Sequence, residues 1–112
     1  YFLNECEKAI IVYQKLAKLR PKSYLPFKGL GDCYSQIKDY AEAEKAYLKT
    51  IENNPYQSTY YISLAEIYRY HLKDNREKIE EFYQKGIKKL GSNRFNLIQA
   101  YASQLEEWGE GK

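Results

Sequence analysis

Aromatic, small and proline residues recur along this chain at a fixed step, and that repetition restricts its possible folds more than any other property. Ala9 to Ala43, Tyr13 to Tyr47 and Pro21 to Pro55 are each 34 residues apart, and Phe27, Leu30, Gly31 and Tyr34 return at the same interval as Tyr61, Leu64, Ala65 and Tyr68. The spacing i, i+3, i+4, i+7 within that set places all four residues on one face of a helix. A unit of this length that repeats with helical periodicity buries its apolar face against its neighbours, which predicts a helical repeat array.

Each slot has a physical reason. Gly31 and Ala65, with Ala102 further along, keep the packing face shallow so that a second helix can approach, while the flanking rings fill the remaining space. Ala43 and Tyr47 are expected to supply the facing surface. Burying one ring removes roughly 150–250 Å² from water, so most of the 13 tyrosines are read as structural.

These residues resemble the tetratricopeptide repeat family, whose pattern sets bulky, Leu, small and Tyr on helix A and Ala, aromatic and Pro on helix B; the likeness covers most of the chain. It implies an all-α, right-handed α-α superhelix of about six antiparallel helices. The single domain 1–112 divides into the second helix of a truncated repeat (1–23), a full repeat (24–57), a full repeat with a two-residue insertion (58–93), and the first helix of a further repeat or a capping helix (94–112). The insertion lies around His71 and Leu72, because Tyr34 to Ala43 spans nine steps and Tyr68 to Ile79 eleven. Tyr83 then follows Tyr47 by 36, and Ile98, Tyr101, Ala102 and Leu105 repeat the helix A set 37 residues on from Tyr61, with Leu105 in the Tyr slot and Gly91 in place of the proline.

Helix limits can be read without the family. Asp39 with Glu42 and Asp74 with Glu77 have the spacing of capping boxes, Ser23 reads as an N-cap, Pro26 falls in a first turn, and Pro21, Pro55 and Gly91 punctuate helix ends. The expected helices are 3–19, 24–37, 40–53, 56–71, 75–90 and 93–108, with no strand. In the last of them Ile98, Tyr101, Ala102, Leu105 and Trp108 make an apolar stripe and Asn96, Gln99, Ser103 and Glu106 a polar remainder, as a capping helix requires. The chain does not begin with Met, and its first helix carries the B pattern with no helix A before it. We therefore expect a start in mid-repeat, within a longer protein, that exposes Leu3, Ile10 or Val12.

A chain of 112 residues fits one domain that buries about 60% of its unfolded surface. No run reaches the roughly 20 apolar residues of a membrane span, and the first residues lack the basic start and apolar block of a secretory signal, so a cytoplasmic location is the expectation. The family's concave surface holds peptides. By that resemblance the groove rows fall on Leu25, Lys28, Asp32, Ser35 and Gln36; on Thr59, Ile62, Glu66, Arg69 and Tyr70; and on Asn96, Gln99, Ser103, Glu106 and Glu107. The implied role is a non-catalytic scaffold that binds a protein or peptide segment. A chaperone carboxylate clamp is disfavoured, since Asp32 and Ser63 stand where it needs Asn, and Asn96 and Ala100 where it needs Lys and Arg.

Three rival readings carry less. One His and two Cys in no motif argue against an enzyme; His71 is placed near a helix end, Cys6 and Cys33 lack metal-ligand spacing, and no metal or cofactor is expected. A net charge of +3 and pI of 8.7, with Lys85, Lys88, Lys89 and Arg94 grouped, raise an RNA-binding helical repeat, but the basic residues are interspersed with Glu42, Glu44, Glu80 and Glu81 instead of segregated. Self-association through the open N-terminal end, as in a stacking array, is the third.

Overall fold

Prolines and capping residues cut the chain into helices close to where the pattern places them. The computed structural model describes residues 2–73 and 75–110, with the side chains of residues 2–4 and 110 outside that description. Six α-helices follow in order: α1 Phe2–Leu19, α2 Tyr24–Gln36, α3 Tyr40–Asn53, α4 Ser58–Tyr70, α5 Arg76–Leu90 and α6 Phe95–Glu110, with a 3₁₀ turn Gly91–Asn93 before the last. The described residues contain no strand, so the fold is all-α. Contacts divide the chain into two compact units, Tyr1–Asn54 and Pro55–Lys112.

The caps show how local chemistry sets the boundaries. Asp39 Oδ1 accepts from the Glu42 N–H at 3.4 Å, but the reciprocal arm of the expected box is not made. The Asp39 N–H goes instead to the Tyr34 carbonyl at 2.8 Å, and the Glu42 carboxylate takes Lys45 at 3.0 Å. Lys38, with φ 66°, makes this turn in the left-handed region that favours glycine. Ser23 holds the N-cap of α2 without capping through its hydroxyl; its carbonyl and that of Pro21 each accept from Asn53 Nδ2 at 3.1 Å, which ties the end of α3 to the α1–α2 turn. Asn75 caps α5 by accepting from the Lys78 N–H at 3.0 Å, whereas the expected Asp74–Glu77 box starts on a residue outside the described set. The link from α4 to α5 is two residues longer than that from α2 to α3.

In the first unit α2 lies against both α1 and α3. Two glycines make this possible: a Cβ on Gly29 would come within 2.7 Å of the Tyr13 ring, and one on Gly31 within 2.9 Å of the Tyr47 ring. The core holds Cys6, Ile10, Leu30, Cys33 and Ala46, with Ala9, Tyr13, Phe27, Tyr34 and Ile37 packed around it. Ile10 is therefore not exposed as expected, because it shares a helix face with Cys6 and Tyr13; Ile11 and Val12 are the exposed residues, and Leu3 falls outside the described side chains. Cys6 and Cys33, 27 residues apart in sequence, are free thiols buried in the same core. Burial first, and then the neighbouring Cys6 thiol, push the Cys33 thiol up to about 12. Attack requires the thiolate. At pH 8 Cys33 is expected to react with an aromatic disulfide reagent at the rate of unfolding, and a burst of Cys33 labelling in native buffer would contradict this.

The second unit packs α4, α5 and α6 around Tyr61, Leu64, Tyr68, Ile79, Tyr83 and Leu97, all at most 3% exposed. Phe82 touches Tyr68 and Tyr83 at centroid distances of 5.2 Å and Tyr61 at 6.0 Å, while Tyr83 stacks on Tyr101 at 4.8 Å. The helix A set of α6 differs from expectation by one residue. Leu97 and Gln104 are buried and Ala100 and Tyr101 half-buried, whereas Ile98, Ala102 and Leu105 face outward. The offset from α4 is thus 36, the same as from Tyr47 to Tyr83, and not 37. Ala102 fits the small slot by sequence spacing, but the small residue sits on the opposing helix: a Cβ on Gly86 would lie 2.6 Å from Leu97 Cδ2 and 2.8 Å from the Tyr61 ring. Tyr101 occupies the small slot by stacking flat on Tyr83 and donating to Glu80 Oε2 at 2.7 Å.

Candidate functional site

On α2 the expected row is exposed or half-buried, but two of its members are engaged with each other. The Asp32 carboxylate accepts from Lys28 Nζ at 3.0 Å and from the Tyr47 hydroxyl at 2.5 Å. An ammonium facing its own carboxylate is a poor receptor for a second one, a structural reason against the carboxylate clamp. Leu25, Ser35 and Gln36 lie along the same helix, with Leu25 and Gln36 exposed.

On α4, four expected residues come together. Ile62, Glu66, Arg69 and Tyr70 rim a depression of about 100 Å³, floored by Ala65, Tyr83 and Ala100. Tyr70 is 54% exposed, and the Arg69 guanidinium lies 5.3 Å from its ring centroid. Arg69 Nε also donates to Glu107 Oε2 at 3.1 Å, a link from α4 to α6. Beneath, burial pushes the Tyr83 phenol up to about 12, so it stays protonated and donates to the buried Gln104 amide oxygen at 3.4 Å. Thr59, at the first turn, is exposed and lines no part of this depression.

The row expected on α6 is displaced by the one-residue shift. Asn96, Gln99 and Glu106 are exposed and Ser103 half-buried. With the offset of 36, the positions equivalent to Thr59, Ile62, Glu66, Arg69 and Tyr70 are Phe95, Ile98, Ala102, Leu105 and Glu106. Phe95, Ile98 and Leu105 are 65%, 40% and 44% exposed, so this row is largely apolar. A second depression, of about 360 Å³, adjoins the first through Arg69 and is lined by Arg69, Lys73, Arg76, Gln104, Glu107 and Trp108. Of these, only Arg69 and Glu107 were in the expected groove rows. Carrying the two inserted residues forward to α6 would have aligned Gln104 with Tyr68 and Trp108 with Leu72.

His71 is exposed at the C-cap of α4, both thiols are buried, and among the described residues no group of three or more His, Cys, Asp or Glu is placed to hold a metal ion. Lys85 pairs with Glu81 at 3.0 Å, and Lys88 and Lys89 in the last turn of α5 complement its dipole. No helix among the described residues is long and apolar enough to cross a membrane.

Six helices on a step of 34 residues that lengthens to 36 for α5 and α6, with aromatic rings set against glycines, define a helical repeat protein. Residues 29–55, most of α2 and α3, match the family model described as tetratricopeptide repeat, which supports the resemblance that the repeat spacing carries. No curated protein matches it. Tetratricopeptide repeats generally mediate protein–protein interaction and are typically non-catalytic scaffolds.

Proposed function

We propose that this chain binds an extended segment of another protein along helix A faces, and that α4 carries the principal contacts. The observation that supports this reading is the depression rimmed by Ile62, Glu66, Arg69 and Tyr70, where apolar and charged side chains surround a floor of small and aromatic residues. Ile62 and the exposed Tyr70 ring offer burial to an apolar anchor, and Glu66 and Arg69 can pair with backbone or side-chain polar groups at its edge. The outward apolar row of Phe95, Ile98 and Leu105 on α6 extends the same kind of surface. No step of this recognition needs a cofactor.

A peptide-array screen tests it. Peptides captured by the parent chain are expected to bind the double variant Ile62→Ala, Tyr70→Ala at least tenfold more weakly, with helicity unchanged by circular dichroism. Equal capture by the variant would remove α4 from the binding surface.

A further inference from the structure

The depression lined by Arg69, Lys73, Arg76, Gln104, Glu107 and Trp108 sets three cations against one carboxylate, more positive charge than its own side chains neutralise. Arg69 comes from the last turn of α4, Lys73 from the lengthened link and Arg76 from the first position of α5, while Gln104, Glu107 and Trp108 lie at i, i+3 and i+4 on α6. Arg76 is held against an aromatic ring: its guanidinium carbon is 4.7 Å from the Trp108 ring centroid. A guanidinium that stacks on a ring through its face keeps its N–H edge for an oxygen acceptor. Arg69 uses Nε on Glu107, and a guanidinium carries five N–H donors in all.

We propose that this depression seats an acidic side chain, Asp or Glu, within the protein segment that the chain binds. The inference rests on the reading of α4 as a binding face, since Arg69 joins the two depressions. An incoming carboxylate bridges the open edges of Arg76 and Arg69 with Lys73 beside it, and the charge-assisted bonds form in a cleft partly shielded by Trp108. A volume of about 360 Å³ admits one or two such side chains. An extended phosphate chain fits the charge pattern less well, because Glu107 lies inside the depression and Glu66 and Glu106 are exposed on the same two helices. The acidic residue belongs near an apolar anchor, which the Ile62 and Tyr70 rim accommodates.

Trp108 is the chain's single tryptophan, so its emission reports this site directly. The probes are two peptides with amidated C-termini, one carrying two adjacent glutamates beside two leucines and the other with glutamines in their place. The acidic peptide is expected to change Trp108 emission saturably and to bind at least tenfold more tightly than its glutamine counterpart. In the double variant Lys73→Gln, Arg76→Gln, with helicity and thermal midpoint checked, that preference is expected to vanish while affinity for the glutamine peptide stays the same. Equal affinities of the parent chain for the two peptides would overturn the proposal, as would an unchanged preference in the variant. Absence of binding by either peptide would overturn it too, as would a saturable Trp108 response to single-stranded oligouridine in place of the acidic peptide. The two readings fail separately: if Ile62→Ala, Tyr70→Ala weakens both peptides alike and the acidic preference is nil, the binding face stands and the acidic seat does not, whereas a double variant that binds both peptides as tightly as the parent chain, with the acidic preference kept, removes α4 from the binding face and leaves the acidic seat.

Discussion

Replacing Tyr83 by alanine is expected to destabilise the second unit by about 3–5 kcal/mol, the range for deleting a large aromatic side chain from a packed core. The ring is 1% exposed, stacks on Tyr101 at 4.8 Å, meets Phe82 at 5.2 Å, and forms part of the floor beneath Ile62 and Tyr70. Tyr83→Phe separates the ring from its hydroxyl. It keeps the packing and removes only the 3.4 Å bond to Gln104, leaving that buried amide oxygen without its donor, so about 1 kcal/mol is expected. Urea titration followed by circular dichroism checks both values. A loss below about 1 kcal/mol for Tyr83→Ala would mean that the three helices do not close around this ring.

Leu97→Ala is expected to cost about 2–5 kcal/mol, and Ile98→Ala, one residue later, within about 0.5 kcal/mol of nothing. Leu97 is fully buried and lies where Gly86 leaves room for it, while Ile98 is 40% exposed. The contrast depends on the register of α6 alone, because both residues are apolar, similar in volume and on the same turn. Paired urea titrations decide it. A larger loss for Ile98→Ala would restore the 37-residue offset and with it the polar row of Asn96, Gln99, Ser103 and Glu106 as the continuation of the α4 face.

The register of α6 also marks where the sequence stopped being legible. Through Tyr68 the repeat runs at a constant 34, and the residues that carry it are those whose size the packing dictates: glycine at 31 beneath the Tyr47 ring, and leucine at 30 and 64 in the cores. Helix limits were readable because prolines and cap residues act locally. Past the insertion the small residue moves from the helix A slot to Gly86 on α5, and a pattern sought on one helix cannot show that exchange. The thiol pair was hidden for a related reason, since Cys6 and Cys33 meet through the packing of α1 on α2 and share no periodic position. At the site, Ile62, Glu66, Arg69 and Tyr70 were readable as one helix face, whereas Lys73, Arg76 and Trp108 converge from three segments. Lys28 and Asp32 looked like free groove residues, yet their i, i+4 spacing also allows the pairing they adopt.

A residue-by-residue map of binding tests the account most directly. An isotope-labelled chain titrated with a peptide captured from the array is expected to show amide shifts concentrated on α4 and α6, at Ile62, Glu66, Arg69, Tyr70 and the outward residues Ile98 and Leu105. Shifts confined to the exposed side of α5, at Glu81 and Lys85, with α4 unmoved, would contradict it.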